Sequence, residues 1–186
     1  MFGDRDRLGW GIARAALGAA ILASPVAATG PVPRAPAPEM AQLGFFVGTF
    51  ACKGETDATP MSARHPISRT ITGRMDLDDF WLFMRFEDKR TTENPTPIRG
   101  NWQLIYDAKA KNFAAVWTDN LGRWFPQTSP GWEGDTIAFT GDFVLDDKKG
   151  TVRDTFIKKS DRDMVMRVDV QTDGVWRRFF QLDCRK

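Results

Sequence analysis

The stretch ISRTITGRMDLDDFWLFMRFED, residues 67–88, holds two runs rich in β-branched and aromatic side chains, split by Asp78-Asp79. Apolar extended runs flanking a short acidic turn predict a β-hairpin, with strands over Ile67–Leu77 and Phe80–Asp88. In the second run Phe80, Leu82, Met84 and Phe86 fall on one side of an extended chain, and Arg85 and Glu87 on the other. Trp81 and Phe83 spoil a clean polar exterior.

The same grammar continues in both directions. Upstream, a strand begins at Phe50 and ends at Lys53-Gly54. Downstream, strands are expected over Ile98–Tyr106, Phe113–Thr118 and Arg123–Gln127, then at Trp132–Glu133, Thr136–Thr140 and Phe143–Leu145. Thr151–Lys158, Met164–Gln171 and Val175–Cys184 complete the set. Asp173-Gly174, between the last two, is the strongest turn signal, because both residues tolerate the positive φ of a two-residue loop. The segment Pro38–Val47 (PEMAQLGFFV) predicts the one short helix, with Met40, Leu43 and Phe46 or Val47 on one face. Trp102, Leu104 and Tyr106 share a side of their strand, as do Phe113, Ala115 and Trp117. One open sheet of about ten strands would expose two edges and a large apolar face, and closure removes both. The expected fold class is therefore all-β: a closed or nearly closed antiparallel up-and-down β-barrel of about ten strands with one short N-terminal helix.

Composition agrees with a folded domain and narrows the function. Of 186 residues, 42% are hydrophobic and 27% charged, enough apolar material for a core and too little charge imbalance for disorder. A net charge of +2 with no long basic run argues against nucleic-acid binding. Residues 1–28 read as a secretory signal peptide: Arg5, Arg7 and Arg14 supply charge, Ala15–Ala23 is a short apolar run, and Val26-Ala27-Ala28 offers small residues for cleavage. That run is far below the ~20 residues needed to span a bilayer, so no membrane anchor is expected after cleavage. Residues 29–38, with four prolines in Gly30–Pro38, read as a stiff linker, and 39–186 as the barrel domain. The expected localisation is export, to the periplasm or the extracellular space.

At Leu43–Gly54, a short helix leading into Gly48-Thr49-Phe50 and a strand resembles the Gly-x-Trp start of lipocalins and their calycin relatives, with Phe50 where Trp is usual. The chain is more similar to a bacterial family of lipocalin-like barrels of unassigned function. Near its end, Asp173-Gly174-Val175-Trp176 through Cys184-Arg185 matches that family's closing strand. The resemblance covers Met40–Lys186. The count of ten strands is closer to fatty-acid-binding and nitrobindin-like barrels than to eight-stranded lipocalins. Nitrobindin-like barrels hold haem through a histidine, which directs attention to His65, the one histidine in the chain. Preceding Pro66 between the first two strands, it reads as a solvated residue rather than a haem or metal ligand. No cofactor or metal is expected: the two cysteines match no zinc spacing, and the aspartate clusters lack the glycine and glutamate of a calcium loop.

No Gly-x-Ser-x-Gly elbow or phosphate-binding glycine loop is present. Asp119, Glu133, Asp135 and Asp154 are carboxylates that would matter if they converged at a barrel mouth. The seven tryptophans suit either core filling or a ligand wall. Trp102, Tyr106, Trp117 and Trp176 are the candidate ligand-binding rings. Arg178 joins them, because it shares strand parity with Trp176, Phe180 and Leu182; if those face inward it would meet a carboxylate, a Trp face or an acidic head group, and if Arg177 faces inward instead the same argument transfers to it. No catalytic residue is singled out. The residues favour a non-enzymatic barrel binding a small apolar or amphipathic molecule. The alternatives are a barrel enzyme of isomerase or cyclase type and a filled structural or interaction barrel. Finally, closure makes the first and last strands neighbours, so Cys52 and Cys184 are expected to form a disulfide once the chain is exported.

Overall fold

In the computed structural model, the described residues are 35–58, 63–145 and 148–186. The expected signal peptide, 1–28, and residues 29–34 of the expected linker lie outside them. The chain enters through a 3-10 helix over Pro38–Phe46. With three residues per turn, this geometry stacks every third side chain, and Met40, Leu43 and Phe46 are its buried residues. Val47, the alternative to Phe46 on that face, is exposed.

Eleven strands follow: β1 (Gly48–Thr56), β2 (His65–Asp76), β3 (Trp81–Asp88), β4 (Arg99–Asp107), β5 (Asn112–Asp119), β6 (Trp124–Ser129), β7 (Trp132–Glu133), β8 (Thr136–Leu145), β9 (Lys148–Lys158), β10 (Asp163–Thr172) and β11 (Val175–Arg185). Every pairing is antiparallel. All but β7 build a closed ten-stranded barrel, and β7 is a two-residue spur on β8. The hairpin of residues 67–88 forms as the β2–β3 pair, with Leu77, Asp78 and Asp79 all at positive φ in the turn. Asp173 and Gly174 take the positive φ that their two-residue loop demands.

Two seams close the cylinder. At one, β1 pairs with β11 over six registered residues, and Cys52 lies directly opposite Cys184. The two are disulfide-bonded, with Cα atoms 4.0 Å apart and a separation of 132 positions in sequence. At the other seam β6 meets β8 through Thr128 and Thr140. There Gly141 is required: a Cβ would stand 1.9 Å from the Pro126 carbonyl oxygen and 2.8 Å from Gln127 Cγ. The two runs expected at Thr136–Thr140 and Phe143–Leu145 are accordingly one strand, which passes through Gly141 while hugging β6.

The helix covers one end of the barrel. Phe46 packs on the Phe156 ring at 5.1 Å and the Trp132 ring at 5.8 Å, and the Trp132 indole donates to the Gln42 carbonyl at 3.0 Å. Trp102 fills the middle, 4.7 Å from the Phe139 ring, 5.5 Å from Phe156 and 6.2 Å from Phe86. No helix among the described residues is long and apolar enough to cross a membrane.

Candidate functional site

Above Trp102, toward the end away from the helix, the interior changes character. Arg69 on β2 alternates with Ile67 and Ile71, and Asp88 on β3 follows Met84 and Phe86, so parity turns both inward. They meet in a two-pronged ion pair, Nε to Oδ1 at 2.6 Å and Nη2 to Oδ2 at 3.1 Å, with both side chains 3% exposed. The guanidinium also lies over the Phe180 ring at 4.6 Å. Its charge and one face are thus already occupied.

A second polar group sits across the barrel at the β6–β8 seam. Gln127, 2% exposed, donates through Nε2 to the Phe139 carbonyl at 3.3 Å and to Asp154 Oδ2 at 2.6 Å. Asp154 lies on β9 between inward-facing Val152 and Phe156, opposite Phe139 and Val168. It keeps partial accessibility although its carboxyl is enclosed by the barrel wall. Burial pushes its pKa up to about 6, against the opposing pull of the Gln127 hydrogen bond and the Arg69 charge. Two buried polar atoms nearby have no hydrogen-bond partner among the described residues: Gln127 Oε1 and Trp102 Nε1. Such orphans are uncommon in folded interiors and cost about 1–3 kcal/mol each.

Half-buried rings form the rim. Trp117 stacks on Phe125 at 6.4 Å, and Phe125 meets Phe143 at 6.3 Å. The Trp117 ring closes on Gly100, where a Cβ would come 2.3 Å from it. Its indole, unlike that of Trp102, is satisfied, donating to Asp119 Oδ2 at 3.1 Å; Arg123 Nε donates to the same oxygen at 2.7 Å. Burial alone would raise Asp119, but these hydrogen bonds outweigh it and hold the carboxyl below its usual range.

The candidate residues drawn from sequence separate in space. Trp102 is buried at the centre and Trp117 stands on the rim. Tyr106 lies toward the helix-covered end, packed on Phe113 at 5.2 Å, and borders a depression of about 720 Å³ outside the barrel, along Pro36–Met40. Trp176 is 36% exposed and stacks under the Arg153 guanidinium at 4.4 Å. The inward orientation expected of Arg178 is corrected: its side chain is on the outside, bound to Asp57 by Nε–Oδ2 and Nη2–Oδ1 contacts of 2.7 and 3.0 Å. The reason is a β-bulge. Phe180 pairs with Val168 but Arg178 with Asp169, so Phe179 is an extra residue that reverses the parity of everything before it in β11. Arg177 inherits the register of inward-facing Val170, yet it is exposed at the strand end.

Of the four carboxylates singled out, Asp154 and Asp119 reach the far half, while Glu133 and Asp135 flank the short β7–β8 turn at the opposite end. His65 is the first residue of β2, hydrogen-bonded to Thr56 Oγ1 at 3.2 Å and the Ala63 carbonyl at 2.9 Å. Among the described residues, no three of His, Cys, Asp and Glu are grouped to hold a metal. Sequence reasoning passed over Arg69 and Gln127. A signal existed for Arg69, a charged residue alternating within an apolar run, the same logic applied to Arg178; Gln127 sits in a strand interrupted by Pro126 and carries no such pattern.

No curated protein matches the sequence. Among solved structures, the crystal structure of Rv2717c from M. tuberculosis is similar with a TM-score of 0.63 and 12% identity, covering 81% of this chain and 98% of that one; at this identity the likeness is one of fold alone. A family described as "protein of unknown function (DUF1579)" matches residues 35–186, most of the chain, and the chain belongs to that family.

Proposed function

We propose that this protein is an exported, lipocalin-like carrier that takes a small apolar or amphipathic molecule into the barrel half facing away from the helix. The observation that carries the reading is the pair of orphaned polar atoms, Trp102 Nε1 and Gln127 Oε1, in the same interior as the enclosed Asp154 carboxylate that Gln127 binds. An occupant that completes those hydrogen bonds removes their desolvation cost. The half-buried rings of Trp117, Phe125 and Phe143 give that half an apolar rim. Export is supported by the disulfide, which suits an oxidising compartment.

A second reading, the filled barrel, is favoured by the ring contacts of Trp102 with Phe139 and Phe156. Native mass spectrometry of the protein taken from its own host separates the two. A co-purified small molecule, lost on Trp102→Ala, supports the carrier. Bare protein, together with no saturable quenching of tryptophan fluorescence by alkyl and aryl amphiphiles, supports the filled barrel.

A further inference from the structure

We infer that the interior site selects a cationic ligand, a small amine with an aryl or alkyl body, whose ammonium group sits between the Asp154 carboxylate and Gln127 Oε1. This rests on the carrier reading above and adds the class of ligand. The charge inventory leads to it. Among the described residues, the sheltered ionisable side chains at the level of Gln127 are Arg69, Asp88 and Asp154; Asp119 at the rim, its side chain fully buried, is paired with Arg123, and Asp169, also buried, with Arg153 and Arg167. Arg69 and Asp88 cancel each other, with both carboxylate oxygens of Asp88 engaged and the cation covered by Phe180. What remains without an ion-pair partner is the carboxylate of Asp154, which feels the Arg69 charge only at a distance.

The hydrogen-bond inventory points the same way. Asp154 Oδ2 accepts from Gln127, and its other oxygen takes no hydrogen bond among the described residues. Gln127 Oε1, held beside it because the amide nitrogen of the same side chain is fixed on Asp154 and Phe139, is an unpartnered acceptor. Two acceptors and one anion without an ion-pair partner match a group that donates several hydrogen bonds and carries positive charge. Trp102 and Phe139, packed edge-to-face at 4.7 Å, supply aromatic surface for the body of the ligand. A carboxylate head group, by contrast, would face Asp154 and find Arg69 already taken. Arg178, the cation expected from sequence to receive it, stands outside with Asp57. A neutral alcohol would use the Trp102 indole and Gln127 but leave Asp154 without an ion-pair partner.

The test is isothermal titration at pH 7.5, where Asp154 is ionised, with two matched sets of probes: 2-phenylethylamine, 2-phenylethanol and phenylacetate, and decylamine, decanol and decanoate below their aggregation limits. The amine is expected to bind at least tenfold more tightly than the alcohol in one set or both, and the carboxylate more weakly than either. Asp154→Asn, which keeps an oxygen for Gln127 and removes the charge, is expected to lower amine affinity at least tenfold while leaving the alcohol within about threefold. An alcohol or carboxylate that binds as well as its amine overturns this inference and leaves the carrier reading standing. Absence of binding by all six probes overturns both. The order of the three head groups on the unaltered protein decides the matter even if the variant folds poorly.

Discussion

At Asp154, burial and the Gln127 hydrogen bond act on the carboxyl in opposite directions, and burial prevails. An acid whose pKa is raised to about 6 in the fold, against 3.8 for the free side chain, is destabilising when ionised and neutral in effect when protonated. The penalty is therefore absent below pH 4, grows between pH 4 and 6, and is complete above pH 6, at about 2–3 kcal/mol. Asp154→Asn is expected to raise the urea midpoint at pH 8 by a corresponding amount and to leave it unchanged at pH 4. A variant equally or less stable than the parent at pH 8 would show that the carboxylate is better solvated than its position implies. The Arg69–Asp88 pair behaves differently, because each ion has the other as its direct ion-pair partner. Asp88→Ala is expected to cost about 3–5 kcal/mol by stranding the cation, and Arg69→Met with Asp88→Leu together to recover most of the loss in the same denaturation assay. Asp154 looked in the sequence like any turn or strand-end aspartate. Its role follows from Gln127, which approaches it across a seam joining residues 27 positions apart.

Among the elements, the strands were legible because two-residue alternation records burial directly: Leu82, Met84, Phe86, Trp102 and Leu104 are all buried on the side assigned to them. The helix was legible from three residues, Met40, Leu43 and Phe46. Parity arguments failed at β11, where Phe179 adds a residue; Trp176 and Arg178 obey the alternation only on the far side of that bulge. Nothing in Val175–Phe180 marks the bulge, since its cause is the register with β10. The break expected at Gly141 failed for a related reason. Glycine there answers a neighbouring strand rather than a turn, with the Pro126 carbonyl where a side chain would stand. Gly141→Ala is thus expected to lower stability by about 1–3 kcal/mol, by forcing β6 and β8 apart. Gly44→Ala, with nothing within 4 Å of the added carbon, is expected to be neutral or slightly stabilising. Thermal unfolding of the two variants side by side checks the pair, and equal behaviour would remove the close-approach argument.

Across the molecule, closure is secured unevenly. The β1–β11 seam has six registered pairs and the Cys52–Cys184 bond, whereas the β6–β8 seam relies on Thr128, Thr140 and the Gln127 amide. Cross-linking residues 132 positions apart restricts the unfolded chain by about 4–5 kcal/mol in the loop-entropy account, an upper figure. Cys52→Ser with Cys184→Ser is expected to lose much of this, seen as a lower denaturation midpoint under oxidising conditions and no difference from the parent under reducing ones. The weaker seam is also where the polar interior lies, so the site that distinguishes a carrier from a filled barrel is built on the part of the wall with the fewest backbone ties. The Trp102 indole reports on it most directly. In a ¹H–¹⁵N spectrum of the tryptophan indoles, with the Trp102 signal assigned by its loss in Trp102→Phe, titration with 2-phenylethylamine and decylamine is expected to shift that signal saturably. The signal of Trp124, 69% exposed and outside, should stay in place. A Trp102 resonance that is unmoved by either amine, or that moves only together with Trp124 and without saturation, would contradict the binding site.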